Sequence, residues 1–109
     1  MAPMHAAEGL PSGGGMVVVK RGPNAGSRFL LTHPATSAGS HPASDIYLDD
    51  ETVSRQHAEF RCDGSKFRLI DVGSHNGTYV NRELVQTTQL HNGDEIEIGK
   101  FRLIFLLSR

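Results

Sequence analysis

The sequence predicts an all-β fold, a sandwich of short strands, and three observations carry that expectation. Glycine occurs 12 times in 109 residues and gathers with Pro, Asn and Asp into tight clusters, such as Gly22-Pro23-Asn24-Ala25-Gly26 and Asn92-Gly93. Between the clusters, polar and apolar residues alternate with period 2, as half-buried strands require. No window carries an apolar stripe at helical spacing. About ten short strands result.

The elements follow in order. Met1–Gly15 holds Pro3, Pro11, three consecutive glycines and one charge, Glu8; it reads as a flexible tail ahead of one domain over 16–109. It has no basic segment followed by an apolar one, so it is not read as a secretory signal. Met16–Val19 is β-branched and short, which suits a buried strand, and Arg28–Thr32 answers it across the Gly22–Gly26 turn. Thr36–Gly39 is a short strand and Ser40–Ser44 a polar loop. Asp45–Leu48 alternates. His57–Cys62 alternates too, with Ala58, Phe60 and Cys62 expected inside and His57, Glu59 and Arg61 outside. Asp63-Gly64-Ser65 turns the chain into Lys66–Asp71, with Phe67 and Leu69 facing in. Gly73–Gly77 is a loop, Thr78–Val80 a strand, and Asn81-Arg82-Glu83 a turn. Asp94–Ile98 places Ile96 and Ile98 inside, and Phe101–Leu107 closes the fold as the most apolar strand.

Composition excludes whole classes of function. With 11 basic against 12 acidic side chains, the net charge is -1, which lacks the cationic footprint of a general nucleic-acid binder. The longest apolar run near either end, Leu103–Leu107, is far too short to span a bilayer. One cysteine, Cys62, rules out an intrachain disulfide framework and a multi-cysteine zinc site, and it points to a reducing, cytoplasmic setting. Cys62 is expected to be buried and inert. The six histidines have no ligand spacing, and Asp49-Asp50-Glu51 lacks the spaced oxygens of a calcium loop. No metal or cofactor is implied.

In a sandwich the sheets pack and the loops bind. Three loops carry unusual polar residues: Gly39–Ser44, Thr52–Gln56 and Gly73–Asn76. Ser54 and Arg55 put a hydroxyl donor beside a charged planar fork, a pairing suited to an oxyanion. Asn76 offers an amide donor and acceptor for an extended peptide backbone, and Gly77 permits a sharp turn after it. Ser54, His57 and a carboxylate such as Asp71 also allow a hydrolase reading, which demands that the imidazole reach the hydroxyl.

Gly39, then Ser54-Arg55-Gln56-His57, then Asn76-Gly77, together resemble the forkhead-associated (FHA) family, whose pattern is Gly-Arg, Ser-x-x-His and Asn-Gly at about these separations. The resemblance runs from about Met16 to Leu107. It implies an eleven-stranded sandwich whose loops at one end bind phosphothreonine peptides without catalysis. Further stretches are similar to the actinobacterial glycogen accumulation regulator group. They are Val18–Leu31, Asp45-Ile46, Leu48-Asp49-Asp50 with Val53-Ser54-Arg55, Asp71–Ser74, Asn76–Glu83 and Gly99–Leu103. That group implies partners at the oxoglutarate branch point: oxoglutarate dehydrogenase, glutamate dehydrogenase or glutamate synthase, bound without phosphate on the enzyme. It also implies a Ser/Thr protein kinase acting on an N-terminal threonine that folds back onto the binding face. Met1–Gly15 holds no threonine. The first, Thr32, falls inside an expected strand.

By this resemblance Ser54 and Arg55 contact phosphate, Asn76 holds the peptide backbone and His75 sits on the rim. Asn81 and Lys100 are outer contacts, and Gly39, His57 and Gly77 are structural. Two positions depart from the pattern. Ser40 stands where the family has Arg, and Gln56 where close relatives carry a second basic residue. Ser40 supplies neither charge nor fork, so phosphate affinity is expected to be weaker.

Overall fold

In the computed structural model, residues 14–108 are described; Met1–Gly13, most of the expected tail, and Arg109 lie outside them. Eleven strands form two sheets. The first sheet takes β1 (Gly15–Arg21), β2 (Arg28–Leu31), β7 (Thr78–Val80), β8 (Glu83–Val85), β10 (Glu95–Ile98) and β11 (Phe101–Leu107), in the order β2-β1-β11-β10-β7-β8. The second takes β3 (Ala35–Gly39), β4 (Ile46–Tyr47), β5 (Ala58–Asp63), β6 (Lys66–Asp71) and β9 (Thr87–Gln89), in the order β4-β3-β5-β6-β9. Among the described residues, only the β3–β4 pair is parallel.

The core lies between the sheets and is built by the alternation. In β11, Phe101, Leu103 and Phe105 are buried while Arg102, Ile104 and Leu106 turn partly outward. Across the gap Phe67 of β6 meets Phe105, with ring centroids 5.3 Å apart and planes tilted by 53°. Each such buried ring contributes on the order of 1.5–3 kcal/mol over its exposed state. β11 lies inside its sheet, hydrogen-bonded to β1 and β10 on either side.

Several expectations need correction. Gly15 is not tail; it is buried and pairs with Leu31 and Leu107. Two strands, β8 and β9, occupy stretches that gave no strand signal. Glu83 opens β8 because the turn is only two residues, Asn81 and Arg82, both at positive φ (49° and 70°). His57 is fully buried rather than outward, because it precedes β5 and escapes the strand's alternation. Cys62 is half-buried near the hairpin, its thiol donating to the Gly64 carbonyl at 3.2 Å. Thr32 lies beyond the end of β2 and is exposed.

Register places the functional loops. β3 and β5 pair Ala38 with Ala58, and β5 and β6 pair Ala58 with Asp71. The chain therefore leaves β3 after Gly39, enters β5 before Ala58 and leaves β6 after Asp71 at one end of the sandwich. β7 begins there, and Thr78 opposite Ile98 brings the Gly99-Lys100 turn to the same end.

Candidate functional site

At that end, Ser54, Arg55, Gln56, His75 and Asn76 line one open depression of about 610 Å³, together with His41, Glu51 and Thr52. The floor is made by backbone contacts. Beyond Gly39 the chain runs against the loop before β5: the Ser40 amide donates to the Ser54 carbonyl at 3.0 Å and the His41 amide to the Arg55 carbonyl at 3.2 Å. A Cβ at Gly39 would lie 2.0 Å from the Arg55 oxygen, so only glycine allows this approach.

His57 ties the loops together from beneath. The Ser54 amide donates to its Nδ1 at 3.1 Å, so Nε2 carries the proton and donates to the Gly77 carbonyl at 2.9 Å. Burial pushes its pKa below the ordinary 6.5, although the Gly77 carbonyl and the Asp71 charge pull the other way. A protonated ring would set an N–H against the Ser54 N–H, so the neutral form belongs to the fold. This geometry removes the hydrolase reading. Both ring nitrogens serve backbone groups, and neither is available to take a proton from the Ser54 hydroxyl.

Asp71 is also committed to structure. Its Oδ1 accepts the Gly73 amide at 2.8 Å and the Ser74 amide at 2.9 Å; its Oδ2 accepts the Thr78 hydroxyl at 2.8 Å and the Ser74 hydroxyl. Burial raises its pKa, but these donors outweigh it and hold the carboxyl at about 2. Ser74 Oγ in turn accepts the Gly77 amide at 2.9 Å, which closes the loop after β6. The sequence signal for this bracing is Asp71-Val72-Gly73-Ser74, an aspartate followed at two and three residues by amides it can accept.

The side chains left facing the depression match an anion. The His75 amide donates to Ser54 Oγ at 3.0 Å, which uses an acceptor of the hydroxyl and leaves its O–H to donate. Arg55 is exposed and makes no ion pair among the described residues. Asn76 Nδ2 donates to the Thr52 carbonyl at 3.0 Å, linking two of the loops.

Other positions fall differently. Ser40 is half-buried and does not line the depression. Lys100 braces a loop, with Nζ 3.1 Å from Asp50 Oδ1 and its amide 3.0 Å from Thr52 Oγ1. Asn81 stands apart, at the end of β7 remote from the cluster. Its side chain is spent on the Asp94 carboxylate and the Glu95 amide, both at 3.0 Å. His41 lines the depression and was not singled out by sequence reasoning, because an isolated histidine without ligand spacing carries no signal.

The family profile described as FHA domain matches residues 36–99. The chain is 71% identical over 99 residues to the glycogen accumulation regulator GarA of Mycolicibacterium smegmatis, covering 91% of this chain and 63% of that protein. It is 67% identical over 99 residues to the oxoglutarate dehydrogenase inhibitor of Corynebacterium jeikeium, covering 91% and 69%. The chain thus spans less than two thirds of the length of the mycobacterial relative. An FHA domain solved in work on phosphothreonine-dependent FHA interactions superposes with a TM-score of 0.82 at 31% identity, over 88% of this chain and 98% of that one. The FhaA FHA domain, complexed with the intracellular domain of another protein, gives 0.78 at 33% identity over 84% and 98%.

Proposed function

The chain belongs to the FHA domain family, and from that premise we propose that it is a phosphothreonine-recognising regulator of metabolic enzymes. The observation that carries the reading is the Ser54–Arg55 pair. One hydroxyl hydrogen and one unpaired guanidinium face a single depression, on a floor fixed by His57 and Gly39. Asn76, beside them, takes the backbone of the bound segment. The names of the relatives support the next step, that the same face docks on oxoglutarate dehydrogenase. Glutamate dehydrogenase and glutamate synthase are further partners of the same branch point, and a Ser/Thr protein kinase controls the module in the cytoplasm. No helix among the described residues is long and apolar enough to cross a membrane.

Ser40 favours a site that depends less on phosphate, because the fork and charge of an arginine are missing from the chain segment that borders the depression. The test is calorimetric titration with purified oxoglutarate dehydrogenase, with and without a competing phosphothreonine peptide. Binding without phosphate that excess phosphopeptide or Ser54→Ala abolishes is the expected result. Binding to the peptide alone would leave a general phosphothreonine reader. No binding to either would overturn both readings.

A further inference from the structure

We infer that His41 is an anion-contacting residue, its Nε2–H donating to the phosphate from the chain segment where Ser40 does not reach. The inference rests on the phosphothreonine reading and adds a ligand to it.

Position is the first argument. Ser40 does not line the depression, whereas the next side chain, His41, does, along with Ser54 and Arg55. Rigidity is the second. The His41 amide is bound to the Arg55 carbonyl at 3.2 Å, and its carbonyl accepts the Ser44 amide at 2.9 Å. Its ring Nδ1 accepts the Ala43 amide at 2.9 Å. Pro42, between the two ends of that last bond, restricts the backbone on both sides. A residue held at two backbone points and at one ring nitrogen loses little freedom on binding.

The tautomer is the third argument. Nδ1 is an acceptor, so Nε2 carries the hydrogen and is a donor. Arg55 and His75 share the depression with it, Glu51 opposes an anion there, and Glu59 lines the adjoining hollow that His41 also borders. An imidazole N–H lacks the fork of arginine but supplies a directed hydrogen bond to an anion.

The experiment is titration of a fluorescent phosphothreonine peptide into the wild type, His41→Asn, His41→Gln, Ser40→Arg and the double variant Ser40→Arg/His41→Asn. Asparagine keeps an acceptor for the Ala43 amide but ends short of Nε2; glutamine extends a donor to about that reach. Loss of one hydrogen bond to a charged group predicts about a tenfold to hundredfold weakening for His41→Asn. Glutamine should restore most of it. In the Ser40→Arg background the loss should shrink, because the new guanidinium covers the same oxygen. Unchanged thermal midpoints separate these effects from misfolding. Equal affinity of wild type and His41→Asn overturns the inference and leaves the phosphothreonine reading standing. A silent wild type beside a binding Ser40→Arg overturns both the inference and the phosphothreonine reading of this chain, and leaves a site disabled at Ser40. Silence in every variant overturns the reading and the inference together.

Discussion

Gly39→Ala tests the floor of the binding end directly. An alanine Cβ there would stand 2.0 Å from the Arg55 carbonyl oxygen, 2.8 Å from its carbon and 3.1 Å from the Ser54 oxygen. All three atoms are backbone, so no side chain can swing aside. Ordinary contact requires the loop before β5 to retreat by about 1.4 Å. That retreat breaks the Ser40–Ser54 and His41–Arg55 hydrogen bonds, now 3.0 and 3.2 Å long. Each intact bond is worth about 1 kcal/mol net, and a buried amide left unpaired costs about 1–3 kcal/mol. The smaller entropy of an unfolded alanine chain returns about 0.4–1 kcal/mol. The expected destabilisation is therefore about 2–5 kcal/mol, a large share of the roughly 5–15 kcal/mol typical of a domain. Urea denaturation followed by far-ultraviolet dichroism measures it, as a lower midpoint at unchanged slope. Phosphopeptide affinity should fall as well, because Ser54 and Arg55 ride on the displaced loop. A midpoint within about 0.5 kcal/mol of the wild type, with affinity retained, would show that the close approach is not what fixes this end.

Ser40→Arg should raise phosphothreonine affinity by about one to two decades, the value of one more hydrogen bond to a charged group; calorimetry that finds no gain contradicts the account of the weakened site. His57 is held neutral with a pKa below the ordinary 6.5. Between the folded value and 6.5 the unfolded chain binds more protons, so stability is full above 6.5 and is lost as pH falls through the folded value. The imidazole resonances of His57 should accordingly titrate with a midpoint below 6.5, and a midpoint above it would refute the assignment. Asp71→Asn should destabilise by about 2–4 kcal/mol at pH 7, since it removes the charge that four donors share. Because the Asp71 carboxyl titrates at about 2 against an ordinary 3.8, its contribution is present above 3.8 and disappears as pH falls from there towards 2. A urea midpoint difference that persists at pH 2 would contradict this.

The strands that alternate were readable from their own residues: β7 and β11 fall where the pattern puts them, and Phe67, Leu69, Ile96 and Ile98 are buried as expected. β8 and β9 were not, and the reason is their position. Both are three-residue edge strands with only one hydrogen-bonded neighbour in the sheet, and most of their residues are exposed. Little apolar burial means little alternation, and their pairing is imposed from outside by β7 and β6. His57 misled the pattern for the opposite reason. The alternation of β5 begins at Ala58, and His57, one residue before it, is an interior brace between loops rather than a strand position.

The binding end divides by the same physics into a floor and a rim. The floor consists of groups whose partners are backbone atoms: Gly39 against Arg55, and His57 between Ser54, three residues before it, and the distant Gly77. No local pattern announces the Gly39–Arg55 approach or the His57–Gly77 bond, because they exist only once the β3–β5–β6 register has aligned three loop ends. The rim consists of Ser54, Arg55, His75, Asn76 and His41, whose side chains line the depression on backbone fixed beneath them. Substitution at the rim should therefore change affinity one contact at a time, while the loops keep their places. Substitution in the floor moves several rim residues at once. A histidine with both nitrogens bound to backbone and a glycine with a carbonyl where its Cβ would go leave almost no tolerated replacement. The Gly, Ser-x-x-His and Asn-Gly positions thus include the parts of the site least able to vary, and Ser40, next in the chain to the floor glycine, is one of the two positions where this chain departs.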